Sequence, residues 1–350
     1  MKTWLKRLGL AGAVLFLVLT LVNASWLAPD PTGSVKLIAH RGLYQQYDKT
    51  GVGRDTCTAD RLEQPVHDYL ENTTRSIARA AKLGAWFVEV DIAPTKDGRI
   101  AVFQDWTVDC RTDGSGETRD LTLAQLKALD AGFGYTADGG KTFPFRGKGV
   151  GAIPTLDEAL AASGRARLLY NFKSKDPAEA DLLAAALKAA GRDTSAKGDA
   201  FYGAQGPVDR IRTHFPEAWA FSMEEGKACT KAYLALGWSG YVPEACRGGT
   251  IFVPLNYQWA FWGWPNRMIA RMDAVGARIM VLGPQGEGRP RGLDLPEQLG
   301  AIPASFNGYA MVDDTLAVIP ALFPRFDDRR PQEFEVLQAG LERRRVRRGD

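Results

Sequence analysis

The chain has 350 residues, 45% of them hydrophobic, which suits one large domain or two small ones with ample core. Lysine and arginine total 44 against 41 acidic residues, a balance that argues neither for nucleic acid nor for an acidic partner. The 37 glycines and 19 prolines fit many short strand–helix connections.

Residues 1–28 stand apart from the fold. Lys2, Lys6 and Arg7 precede an apolar run from Leu8 to Val22, with Val22-Asn23-Ala24 as a small-residue cleavage site. The segment reads as a signal peptide first and a membrane anchor second, since fifteen apolar residues are short for a span unless the run continues through Trp26 and Leu27. In either case the basic end stays inside, and the rest is exported, periplasmic or anchored to the inner membrane facing outward. In an oxidising compartment Cys57, Cys110, Cys229 and Cys246 read as two disulfides, with Cys57–Cys110 and Cys229–Cys246 the favoured pairing and buried free thiols the other reading. Their spacing resembles no zinc site.

After the linker Ala28–Pro31, a strand over 35–39 ends in His40-Arg41-Gly42. A histidine at the C-terminal end of a strand is where a barrel or open α/β sheet puts active-site groups, and Gly42 lets the chain leave in a conformation closed to other residues. The loop 43–70 carries Cys57 and His67 and is long enough to be functional. Glu71-Asn72-Thr73 opens a helix whose Ile77, Ala80, Ala81 and Leu83 recur at helical spacing before Gly84. The strand 86–92 then puts Glu89 and Asp91 on one side. Two carboxylates so placed repel unless a cation or proton sits between them. Lys96-Asp97-Gly98 turns into a second strand over 99–103.

Further strands are predicted at 167–172, 200–203, 218–222, 250–256, 278–283 and 309–312, with helices at 178–190, 208–214, 226–236 and 267–275. That makes about nine strands in a parallel α/β rhythm, one of them outside an eight-stranded ring. Lys173, at a strand end, is placed to meet a phosphate oxygen. The loop 132–151 offers Lys141, Arg146 and Lys148 to an anion or to solvent. Residues 257–264, YQWAFWGW, form a strand cap or core; exposed at a mouth, with Trp262 as a substrate contact, they would hold an acyl chain or touch a membrane surface. His214 reads as structural. The basic tail, 324–350, reads as a frayed helix or disorder with a weak attraction to anionic lipid.

Six motifs in order, HRG (40–42), ENT (71–73), EVD (89–91), TKDG (95–98), VFQD (102–105) and CRT (110–112), resemble the glycerophosphodiester phosphodiesterase family from about residue 36 to 175. The leucine-patterned helix at 121–129 and the proline-led one at 153–159 are similar to that family's as well. The resemblance implies a (β/α)8 TIM barrel over 35–323, a divalent metal (Ca2+ or Mg2+), and hydrolysis of a small-molecule or lipid-derived phosphodiester with glycerol or a similar alcohol on one side. It also implies Glu89, Asp91 and Asn171 as metal ligands with Glu71 beside them or just behind. His40 would be acid/base, and Arg41 would neutralise the phosphate.

Two positions depart from the family pattern. Gln104 stands where the family has a second histidine, and Asn171 where it has a glutamate metal ligand. An amide neither takes nor gives a proton at neutral pH, and losing one such group costs on the order of 10²–10⁴ in rate. His67, Asp105 and Asp109 are the candidate replacement acids. The alternative is a barrel that binds a glycerophosphoryl or phospholipid headgroup without turnover.

Overall fold

Alternate residues along each strand face two different apolar environments, and this alternation builds a barrel. The structure, a computed structural model, describes residues 2–53, 56–286 and 291–348. Its strands are β1 (Lys36–Ala39), β2 (Phe87–Pro94), β3 (Ile100–Val102), β4 (Arg167–Phe172), β5 (Ala200–Gly203), β6 (Trp219–Ser222), β7 (Thr250–Pro254), β8 (Arg278–Leu282) and β9 (Tyr309–Val312). Eight run parallel in the order β6-β5-β4-β2-β1-β9-β8-β7, while β3 pairs antiparallel with β2 outside the ring, as the strand count predicts. Between β6 and β7 no backbone ladder forms among the described residues. Side chains close that seam: Trp219 Nε1 donates to Thr250 Oγ1 at 3.0 Å, and the Phe221 and Phe252 rings meet edge to face.

The helices are α1 (Lys2–Asn23), α2 (Thr74–Leu83), α3 (Leu123–Ala128), α4 (Leu156–Ser163), α5 (Ala178–Ala189), α6 (Thr194–Lys197), α7 (Gln205–His214), α8 (Met223–Leu236), α9 (Asn266–Ala274), α10 (Thr315–Leu322) and α11 (Pro331–Arg348). Capping boxes at Thr73, Thr122, Thr155 and Ser222 start α2, α3, α4 and α8 by satisfying otherwise orphaned N–H groups. Glu71 therefore lies ahead of its helix.

Leu37, Val88, Val90, Leu168 and Tyr170 belong to the core between strands and helices. Ile38, Phe87, Leu169, Ala200, Trp219, Phe252, Met280 and Met311 fill a second core inside the ring. The inward positions one step further along are polar: His40 after Ile38, Glu89 and Asp91 after Phe87, Asn171 after Leu169, and Tyr202 after Ala200. Strand register brings Asp91 opposite Asn171, and Asn171 opposite Tyr202. The sequence period of two thus turns an apolar barrel floor into a polar ceiling.

Both favoured disulfides form, with Cα atoms 5.4 Å apart for Cys57–Cys110 and 4.7 Å for Cys229–Cys246. His214 pairs with Asp181 between α7 and α5, a structural role as expected. Two segments differ from expectation. The tail is no frayed end: α11 buries Leu337, Leu341 and Arg344, and Arg344 bonds Asp314 and Glu63. A basic run looks solvated in sequence, yet partnered arginines can snorkel over apolar stems. The loop 132–151 is drawn inward by Asp130, which accepts from the backbone of Gly132, Gly147 and Gly149, and it buries Tyr135 and Phe145. Arg146 stacks on Phe133 and Phe143 instead of lining the central cavity.

Candidate active site

A cavity of about 1280 Å³ opens at the C-terminal ends of the strands, lined by His40, Gln104, Asn171, Lys173 and Tyr202 among others. Barrels place their chemistry at this end. Apolar walls come from Phe103, Phe172, Phe221, Phe252, Met223 and Leu282. The described lining also carries Arg119, Lys173, Lys175, Lys227, Lys231 and Arg291 against Asp105, Glu179 and Glu224, a net positive field suited to an anion.

Leaving β1, the chain takes left-handed backbone at Arg41 and Gly42 (φ 56° and 72°), and Asn72 does the same at φ 57°. At Gly42 a Cβ would sit 2.8 Å from Ser76 Oγ, so only glycine fits. For Arg41 and Asn72 that conformation costs on the order of 1 kcal/mol each. The E-x-D pair holds both in place. Arg41 N donates to Glu89 Oε2 at 2.8 Å, Asn72 Nδ2 donates to Asp91 Oδ2 at 2.9 Å, and Asp91 N donates back to Asn72 Oδ1 at 3.1 Å.

Glu89 and Asp91 are fully buried but differently compensated. Burial and the neighbouring Asp91 charge push the Glu89 carboxyl above its usual range, and among the described residues its oxygens accept from the neutral donors Tyr202 OH (2.7 Å) and Arg41 N. Burial would raise Asp91 too, but Lys173 at 3.4 Å, Arg41 at 3.3 Å and Asn72 outweigh it and hold the carboxyl well below the carboxylate range. Asn171, which lines the cavity, donates its Nδ2 to Asp91 at 2.7 Å, and that contact leaves its carbonyl oxygen to accept a hydrogen bond or meet a cation. Among the described residues no three His, Cys, Asp or Glu side chains form a ready cluster. Glu89, Asp91 and the Asn171 carbonyl offer only oxygen, the chemistry a hard divalent cation takes, but of the three it is Asn171 that lines the cavity, and Tyr202, Arg41, Asn171 and Asn72 already occupy the two carboxylates.

His40 is held from the far end of the chain. Its Nδ1 lies 2.9 Å from Asp313 Oδ1, and Asp313 Oδ2 takes Lys49 at 2.6 Å. Burial would raise the Asp313 carboxyl; the Lys49 charge and the His40 hydrogen bond outweigh it and hold the carboxyl well below its ordinary range. An ionised Asp313 fixes the proton on Nδ1 and leaves Nε2 for the cavity that His40 lines. Neither Asp313 nor Lys49 is singled out in the sequence reading. Asp313 directly follows a strand, as His40 does, and that shared placement was the available signal.

Several expected site residues are placed otherwise. Glu71 does not reach the cavity: Arg41 (3.3 Å), Arg111 (3.1 Å) and Tyr135 OH (3.3 Å) occupy its carboxylate. Arg41 does not line the cavity either; it braces Glu71 and Asp91 from beneath, nearly enclosed. His67 does not swing in as an acid. Its Nδ1 meets Gln45 Nε2 at 2.9 Å, burial lowers its pKa, and it faces a separate crevice beside α11. Trp262 lies away from the mouth, its Nε1 donating to Leu234 O on α8.

Gln104 does line the cavity, with its carbonyl fixed by Arg111 Nη2 at 3.1 Å, so its NH2 is the group left to donate. Arg111 also bonds Asp105 at 2.6 Å, Tyr135 OH and Thr58. Asp105 lines the cavity as well, with its Oδ2 engaged by Arg111 Nε. Asp109 accepts from Gly116 N and does not line the cavity.

Residues 40–200 match the model of the Glycerophosphoryl diester phosphodiesterase family. Mouse Glycerophosphodiester phosphodiesterase 1 is 34% identical over 196 residues, 54% of this chain and 56% of the relative. A Glycerophosphodiester phosphodiesterase of Caldanaerobacter subterraneus is 41% identical over 105 residues, 30% of this chain and 40% of that one. The chain thus spans about half the length of the curated relatives it matches. In fold it is similar to the Glycerophosphoryl Diester Phosphodiesterase Domain of a Mycobacterium tuberculosis protein (TM-score 0.59, 17% identity, 83% of this chain and 100% of that one). It is also similar to an Oleispira antarctica phosphodiesterase in complex with the product sn-glycerol-3-phosphate (TM-score 0.51, 17% identity, 85% and 98% covered).

Proposed function

Because this chain belongs to the glycerophosphodiester phosphodiesterase family, we propose that it hydrolyses a glycerophosphodiester with His40 as its one proton-transfer imidazole. The supporting observation is the Lys49–Asp313–His40 chain, which presents a single oriented nitrogen to a cationic cavity beside two buried carboxylates. Nε2 takes the proton from the attacking oxygen; the P–O bond to the alcohol breaks, and that alkoxide recovers a proton from solvent, since Gln104 can only donate a hydrogen bond. Lys173 meets the phosphate as a point charge. Glu89, Asp91 and the Asn171 carbonyl would hold Ca2+ or Mg2+. Such an ion, when bound, offsets phosphate charge.

A leading apolar helix and two disulfides support an exported domain in an oxidising compartment. The test of function is release of choline and sn-glycerol 3-phosphate from glycerophosphocholine by the purified protein with Ca2+, Mg2+ or chelator, beside His40→Ala. Metal-dependent release that the variant lacks supports the reading. Saturable headgroup binding with no release above the variant would replace it with binding without turnover.

A further inference from the structure

The N-terminal helix and an aromatic face of the barrel converge on one residue, Arg271. Its guanidinium donates to Val22 O (2.9 Å) and Asn23 Oδ1 (3.1 Å) at the end of α1, and to Gly237 O (3.2 Å) and Trp262 O (3.4 Å) on the barrel. Asn23 Nδ2 in turn donates to Trp238 O at 2.7 Å. The expected cleavage point is therefore built into the fold. Ala24 and Ala28 are buried, and Asn266 N donates to Ser25 Oγ while its Nδ2 donates to Asp30 Oδ1.

The helix itself is longer than the apolar run suggests. Thr3–Asn23 is 21 residues with mean hydropathy 2.0 and none of it buried. At about 1.5 Å per residue the helix reaches about 30 Å, the thickness of a hydrocarbon core, with the Lys6 and Arg7 stems counted in it and their charges snorkelling to the interface. Lys2, Lys6 and Arg7 sit at the far end, where a retained cytoplasmic terminus would carry its positive charge.

Around the near end the barrel exposes aromatic and aliphatic side chains. Trp26 is 77% exposed, Tyr241 53%, Trp238 46% and Trp262 38%, with Leu27 and Leu236 beside them in sequence also exposed. Trp and Tyr collect at membrane–water interfaces, where the ring is half solvated and the polar edge stays wet. Here they ring the foot of an apolar helix. The 257–262 segment links this face to the cavity rim, because Asn256 and Gln285 bond each other in both directions and Gln285 lines the cavity.

We infer that α1 is retained as a membrane anchor and that the barrel seats this face, Trp26, Trp238, Tyr241 and Trp262, on the bilayer the helix crosses. The occupant is lipid because the helix entering the bilayer leaves the barrel through this face. The inference stands independently of the catalytic reading.

The test uses the full chain expressed in bacteria, recovered from membranes, and reconstituted in phosphatidylcholine vesicles with plain acyl chains or chains brominated near the headgroup. Intact mass reads cleavage. Tryptophan emission reads contact, in a Trp4→Phe background that silences the anchor's own tryptophan. Full-length mass, with a bromine-dependent loss of emission that disappears when Trp26→Phe, Trp238→Phe and Trp262→Phe are added, is the expected result. Loss of the first two dozen or so residues would overturn the retained anchor. Absence of bromine-dependent quenching, or quenching that persists in the combined variant, would overturn this face. Resistance to alkaline extraction and an unchanged far-ultraviolet spectrum establish that each variant is folded and inserted.

Discussion

Asp313 Oδ1 holds Nδ1 of His40 at 2.9 Å across 273 residues of sequence. The contact follows from register: β1 and β9 are neighbours, Ala39 is opposite Val312, and the next residue of each strand turns inward together. An imidazole oriented in this way has one tautomer and one useful nitrogen.

Asp313→Asn should therefore lower turnover by on the order of 10²–10⁴, with the wrong nitrogen protonated and the fold retained. Phosphodiester turnover and thermal unfolding measured together check this. A loss of activity only in proportion to a loss of folded protein would contradict it.

Lys49→Met should make the protein sensitive to acid. A depressed carboxylate contributes stability that is present above its unfolded pKa, near 3.9, and lost as pH falls through the lower folded value. Removing Lys49 raises the folded pKa, shrinks that contribution at neutral pH, and moves acid unfolding to higher pH. Unpairing one member of a buried ion pair costs about 3–5 kcal/mol. Unfolding followed by circular dichroism between pH 2 and 7 (about the span where carboxylates titrate) reads both effects.

Asn171→Glu should strengthen metal dependence. It adds charge to the donor set at the place where Asn171 touches Asp91, and the ion concentration for half-maximal activity should fall on the order of tenfold. A Ca2+ and Mg2+ titration of turnover is the check, and an unchanged midpoint would place the ion elsewhere.

Leu341→Ala should destabilise the protein by about 2–5 kcal/mol, because this α11 side chain is 1% exposed. Denaturant unfolding measures it. A change near zero would return the tail to the frayed state its charge suggests.

Strand positions and most helices were legible because period-two and period-3.6 patterns are strong there, and Gly84 and Thr73 mark helix ends as their chemistry requires. The short α6 was not, nor was α10, which is buried almost throughout and so has no amphipathic period. Glu89 and Asp91 were legible from the period-two pattern, since alternation puts them on one face of their strand, whereas Asn171 was singled out through the family resemblance and Lys173 through its place at a strand end. Asp313 and Lys49 were not, since a carboxylate's partner in a distant loop leaves no local pattern. His67 looked mobile in a long loop, but Gln45, which carries no sequence signal, fixes it. Glu71 looked like a ligand until Arg111, whose role depends on tertiary packing, took its charge. The aromatic run at 257–264 divided between core and surface: Phe261 is buried while Trp259 is 81% exposed, a split that composition cannot reveal.

The most direct measurement compares two glycerophosphodiesters, one with choline and one with a nitrophenol as leaving group, in the natural protein, His40→Ala and Gln104→His. An enzyme with His40 but no second acid should cleave the nitrophenyl ester far faster than the choline ester. His40→Ala should abolish both reactions, and Gln104→His should raise the choline rate selectively, by on the order of 10². Release of neither alcohol in a His40-dependent manner would contradict catalysis at this site.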